Sequence, residues 1–103
     1  MEKGASYSIV DGVKQTPLHR ASGAGVMRMV RFLLEHGADR VVNAQDVQGQ
    51  TALHLACEEG HGEIARLLMD NGADSAVLDK QKRTPLDVCM PQLKQYLLRL
   101  SRE

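Results

Sequence analysis

Apolar residues recur along this chain at helical intervals in two matching segments. Met29, Val30, Leu33 and Leu34 fall one turn apart, and so do Ile64, Ala65, Leu67 and Leu68. Spacings of three and four place each set on one stripe, so amphipathic helices are predicted over Val26 to His36 and His61 to Asn71. A shorter helix is predicted before each, ending near Ala24 and near Glu59. Each of these opens at a Thr, Thr16 or Thr51, whose hydroxyl can accept from a free N–H of the first turn. Pro17 and Pro85 sit just after Thr16 and Thr84, at a first helical position where a missing N–H costs nothing. Gly25 and Gly60 separate the helices of each pair, and Gly37 and Gly72 close the second helix, as left-handed helix stops.

The pairs are copies of one unit. Thr16-Pro17-Leu18-His19, Thr51-Ala52-Leu53-His54 and Thr84-Pro85-Leu86-Asp87 stand 35 and 33 residues apart. Asp11, Asp46 and Asp79 each precede the Thr by five residues, and Gly37-Ala38-Asp39 and Gly72-Ala73-Asp74 follow the first two units. The runs Thr16-Pro17-Leu18-His19-Arg20-Ala21 and Thr51-Ala52-Leu53-His54-Leu55-Ala56, on a period near 33 residues, carry the signature of the ankyrin repeat. The chain resembles that family from about Asp11 onward. The expected fold is all-α: an ankyrin repeat solenoid of three helix-turn-helix units, at about 11–45, 46–78 and 79–103. Short β-hairpins or loops join them, with β-formers such as Val41, Val42 and Val77, and an N-terminal extension covers 1–10.

Departures from the period matter as much as the period. The first connection is two residues longer than the second, within Arg40-Val41-Val42, which predicts a local bulge between intact helix pairs, since loop insertions cost little. The third unit is shortened. Two turns are expected over Thr84 to Met90, then a last helix from Pro91 to Leu100. Lys94 falls where the second unit has Ala65, as on the polar outer face of a terminal cap. The first unit keeps the internal pattern of Leu18, Ala21, Met29, Val30 and Leu33. Its outer face is expected to be covered by Met1 to Val10, through Tyr7, Ile9 and Val10, or to meet another chain.

Charge and composition exclude several functions. Thirteen Lys and Arg balance thirteen Asp and Glu, so no basic field draws in nucleic acid. Only Tyr7, Phe32 and Tyr96 are aromatic, too few for a base-stacking platform. No stretch approaches the ~20 apolar residues of a membrane helix. No long apolar run opens the chain, so no signal peptide is expected, and Cys57 and Cys89 are expected as reduced thiols in the cytoplasm or nucleus.

Candidate chemistry has structural explanations. His19 and His54 each follow a capping Thr by three residues and can reach back to it; the ankyrin resemblance implies a structural Thr–His pair. Asp87 at the third such position agrees with that reading. Cys57 and His61 have i, i+4 spacing, but Gly60 interrupts the helix between them and no second pair completes a zinc set. Leu55-Ala56-Cys57-Glu58-Glu59 matches L-x-C-x-E, the pocket-binding motif of retinoblastoma-type proteins, yet Leu55 and Cys57 hold positions an ankyrin core buries. Neither phosphate-binding Gly motif is present. No catalytic residue, metal or cofactor is expected, and no nucleic acid, membrane or small-molecule substrate.

What remains is a surface for protein. Hairpin tips and first helices of stacked units form a continuous concave face. By register, the side chains there that are free of the fold are Gln15, Arg20, Gln45, Val47, Gln48, Gln50, Glu58, Glu59, Lys80, Gln81 and Arg83. Three stretches, Asp39 to Val42, Leu53 to Glu59 and Lys82 to Val88, resemble the last repeats of gankyrin-type chaperones that assemble the proteasome regulatory particle. That resemblance implies the C-terminal domain of a proteasomal ATPase subunit as partner. An adaptor or inhibitor in transcription or kinase signalling is the alternative.

Overall fold

The structure, a computed structural model, describes residues 12–101. The N-terminal extension, with Asp11, Tyr7, Ile9 and Val10, lies outside the described residues. Among the described residues there are five α-helices: α1 (Pro17–Ala24), α2 (Met27–Glu35), α3 (Ala52–Glu58), α4 (Gly62–Asp70) and α5 (Pro91–Ser101). Two 3-10 turns, Ala38–Val41 and Pro85–Val88, complete the order.

Sequence dictates the unit locally. Thr16, Thr51 and Thr84 are all extended, and each accepts on its side chain from the backbone N–H three residues on. Gly60 (φ 77°) and Gly25 (φ 78°) stop the first helices in the left-handed region. The second helices open on Val26 and His61, which have no side-chain cap. Continuity with the first helices replaces it: Val26 N–H donates to Ala21 O and His61 N–H to Ala56 O, at 3.1 and 2.8 Å.

The units stack in two layers. α1 packs on α3 and α3 on the Pro85–Val88 turn, while α2 packs on α4 and α4 on α5. Leu18, Ala21, Val30, Leu34, Leu53, Ala56, Cys57, Ile64, Ala65, Leu68 and Leu97 fill the space between them. The starts of second helices fit closely. The His61 ring lies over Gly25, where a Cβ would come within 2.6 Å of it, and Leu93 lies over Gly62, at 2.9 Å from such an atom.

Three expectations need correction. Among the described residues there is no β-strand. The hairpins are turns closed by Asp46 N–H to Gln50 O and Asp79 N–H to Arg83 O, too short for a ladder. Val41 and Val42, expected as β-formers, are not extended, while the insertion itself stays local between intact helix pairs. The inserted residues wind into the 3-10 turn, with Arg40 N–H donating to Gly37 O and Val42 N–H to Asp39 O, and Val42 becomes buried. In the third unit the two expected turns shrink to the 3-10 turn Pro85–Val88, which ends at an extended Cys89. Lys94, on α5, is exposed.

Candidate protein-binding surface

The second and third hairpin tips are each organised by one buried carboxylate, Asp46 and Asp79. Asp46 Oδ1 accepts from the N–H groups of Gln48 and Gln50, both at 2.9 Å. Asp79 Oδ1 accepts from those of Gln81 and Arg83, both at 2.9 Å. Burial alone would raise the Asp79 carboxyl. The Arg83 and Gln81 N–H groups and the Arg83 guanidinium outweigh it and hold it below the usual carboxylate range. Backbone bonds then join one tip to the next: Val47 N–H donates to Val13 O at 3.0 Å and Lys80 N–H to Gln48 O at 2.9 Å. At the turn, Lys14, Gly49 and Lys82 all take positive φ, between 63° and 77°.

The histidines sit behind this row. Thr16 N–H donates to His19 Nδ1 at 3.0 Å, so the ring proton lies on Nε2, which donates to Gln50 O at 2.8 Å. His54 repeats the arrangement, accepting from Thr51 N–H at 3.1 Å and donating to Arg83 O at 2.9 Å. Each ring caps its own helix and holds the backbone of the next unit. Sequence spacing announced only the cap. Asp87 accepts from Thr84 N–H at 2.9 Å and stops there. That N–H and the Thr84 hydroxyl hold its carboxyl below the ordinary range.

The expected contact residues divide into two groups. Arg20, Val47, Gln48, Glu58, Glu59, Lys80 and Gln81 are exposed. Gln50 must be corrected: it is buried, its backbone closes the tip and meets His19, and its Nε2 lies 3.5 Å from Glu58 Oε1. Gln15, Gln45 and Arg83 also serve the scaffold. Gln15 Nε2 donates to Asp46 Oδ2 at 3.1 Å. Gln45 Nε2 spans two units, to Gly49 O at 2.9 Å and Leu78 O at 3.1 Å. Arg83 pairs with Asp79 Oδ2 at 3.0 Å. The Asp five residues before Thr51 and Thr84 is the sequence signal for the Gln15 and Arg83 bonds. Lys82, which the sequence places with Lys80 and Arg83 at the last tip, is exposed there. A shallow cleft of about 140 Å³ lies between tips, lined by Val47, Gln48, Asp79, Lys80, Gln81 and Arg83.

The cysteines offer little reactivity. Burial, then the neighbouring Cys89 thiol, pushes the Cys57 thiol far up, and burial also raises Cys89. Cys57 is fully buried on α3 and Leu55 half-buried, so L-x-C-x-E is not displayed as an extended peptide. Among the described residues no group of three or more His, Cys, Asp or Glu could hold a metal ion.

Two helix pairs and a third unit of 3-10 turn and helix, all with capped Thr starts, agree with a family model of ankyrin repeats in three copies, which matches residues 1–79 and 41–98. The chain belongs to the ankyrin repeat family. Ankyrin repeats are protein–protein interaction modules, and their proteins are typically non-enzymatic. No curated protein matches the sequence.

Proposed function

We propose that this ankyrin protein works without catalysis as a gankyrin-type assembly chaperone in the cytoplasm and nucleus, binding the C-terminal domain of a proteasomal ATPase subunit. The observation that carries the binding reading is the tip row. Its backbone is fixed from unit to unit, while the side chains of Val47, Gln48, Lys80 and Gln81 are exposed. A surface ordered beforehand loses little entropy on association. Glu58 and Glu59 on the first-helix side and Lys80 and Lys82 at the tip fit a partner carrying both charge signs. Support for the chaperone role comes from the sequence likeness at Asp39 to Val42, Leu53 to Glu59 and Lys82 to Val88.

Titration calorimetry with isolated ATPase C-terminal domains tests both levels. Val47→Asp with Lys80→Glu should weaken binding at least about tenfold and leave Tm nearly unchanged, since exposed charges contribute little to stability. Arg83 is left intact because it holds Asp79. Binding that survives the double substitution places the interface elsewhere; no binding to any such domain removes the chaperone role.

A further inference from the structure

Two free thiols meet where the third unit joins the second. Cys57 lies in the last turn of α3 and is fully buried in the core. Cys89 follows the Pro85–Val88 turn that packs on α3, and it is half-buried against the same core. The Cys89 S–H donates to Pro85 O at 3.4 Å, and side-chain hydrogen bonding links its sulfur to Cys57. The first junction has no such pair. Ser22 stands six residues after Thr16 as Cys57 does after Thr51, and Ala56 stands five after Thr51 as Cys89 does after Thr84. Ala56 is 0% exposed in its place, so packing alone asks for no sulfur there.

Burial blunts each thiol toward outside reagents and leaves the two facing one another. Their roles differ. Burial raises Cys89, while the Cys57 thiol and Lys94 pull it back down. Burial and the Cys89 thiol both raise Cys57. Cys89 therefore ionises first, and it is the half-buried member, with exposed Met90 beside it. Cys89 ends a short turn in extended backbone, outside any α-helix, so a small shift of its sulfur breaks no helical bond.

We propose that Cys57 and Cys89 are a redox pair: a small disulfide such as oxidised glutathione joins them in a bond that staples the third unit to α3. The Cys89 thiolate attacks one sulfur of the glutathione disulfide, and one glutathione leaves as thiolate. Cys57 then gives up its proton and attacks Cys89 Sγ in the mixed disulfide, expelling the second glutathione. The protein dithiol is oxidised and the glutathione disulfide is reduced to two glutathione thiols. Proximity makes the second step intramolecular, which offsets the small thiolate fraction of Cys57. The closed loop holds residues 58–88, with α4 and the last tip inside it. Such a cross-link removes freedom from the unfolded chain, so the oxidised protein is the more stable form.

The full chain is incubated with an excess of oxidised over reduced glutathione and compared with its dithiothreitol-reduced form. Intact mass should fall by about 2 Da, and trypsin should release residues 41–66 joined to 84–94. Tm should rise by about 5 °C or more, with slower amide exchange through the Pro85–Val88 turn. Cys89→Ala, which copies Ala56, should fold and show neither the mass loss nor the rise in Tm. Cys57→Ala should leave glutathione held on Cys89. Two thiols that survive the incubation, glutathione that persists on Cys89 in the unaltered chain, or a disulfide between two chains overturns the proposal. So does an internal bond that lowers Tm, because it would then close only by distorting the fold.

Discussion

The second and third units begin alike and end differently, and one side chain marks the change. Thr51 and Thr84 make the same cap with the residue three positions on. In the second unit that residue is His54, long enough to cap its own helix with Nδ1 and reach Arg83 O with Nε2. In the third it is Asp87, which performs the first task and reaches no further. The ring is 0% exposed, yet Asp87 is exposed. The helix it starts shrinks to a 3-10 turn. Imidazole is thus the choice where a unit must be held to its successor, and carboxylate suffices where the helix alone needs capping. The same rule explains His19, which holds Gln50 O.

The largest break in this comparison should come from His54→Ala. It removes the cap and the inter-unit bond together and leaves buried partners unsatisfied, at a cost of about 2–3 kcal/mol by chemical denaturation. A loss below about 0.5 kcal/mol would mean that the ring is not a coupler. Gly49→Ala should follow. It imposes a side chain at φ 77° and sets a Cβ 2.9 Å from Lys80 N, so a loss of about 1–2 kcal/mol is expected. Lys82 holds the same left-handed position at the last tip, where it is exposed, so Lys82→Gly should raise Tm slightly. If Gly49→Ala is as mild as any surface change, the tips do not pack on one another.

A finer cut is His54→Asn. Its amide oxygen can still accept from Thr51 N–H, but its length falls short of Arg83 O. The expected loss is about 1 kcal/mol, with faster hydrogen exchange confined to the third unit. Exchange rising evenly through all units would deny the coupling role. The smallest effect is acid sensitivity. Asp79 and Asp87 are held below their ordinary range, so their contribution is complete above an unfolded carboxylate pKa of about 4 and is lost as pH falls through the lower folded values. Circular dichroism should show a flat Tm between pH 7 and 5 and a decline below pH 4. Asp79→Asn should flatten that decline, and a decline unchanged by it would assign the acid response to other carboxylates.

Much of the scaffold was legible because local chemistry decides it. Thr16, Thr51, Gly25 and Gly60 act within a few residues of themselves, and the apolar stripes of α2 and α4 follow from the period alone. The insertion at Arg40-Val41-Val42 was visible, but its form was not. β-branched residues favour extended chain, and here burial of Ala38 and Val42 beneath a 3-10 turn overrides that preference. The candidate surface was harder to read. Exposed Val47 and Lys80 look no different in sequence from Gln50 or Arg83, whose side chains are claimed by partners eight or four residues away. The reach of His19 and His54 into the next unit spans 31 and 29 residues, beyond any local pattern.

The backbone links between tips carry a consequence for how such a protein changes over generations. Val47 donates its N–H to Val13 and Lys80 to Gln48, so the side chains at these positions take no part in the link. Mutation there alters what the surface recognises and leaves the fold untouched. Asp46, Gly49 and Asp79, one or two places away, have no such freedom. Selection can therefore rewrite the tips for a new partner in single steps, with each intermediate still folded, while the punctuation around them stays fixed.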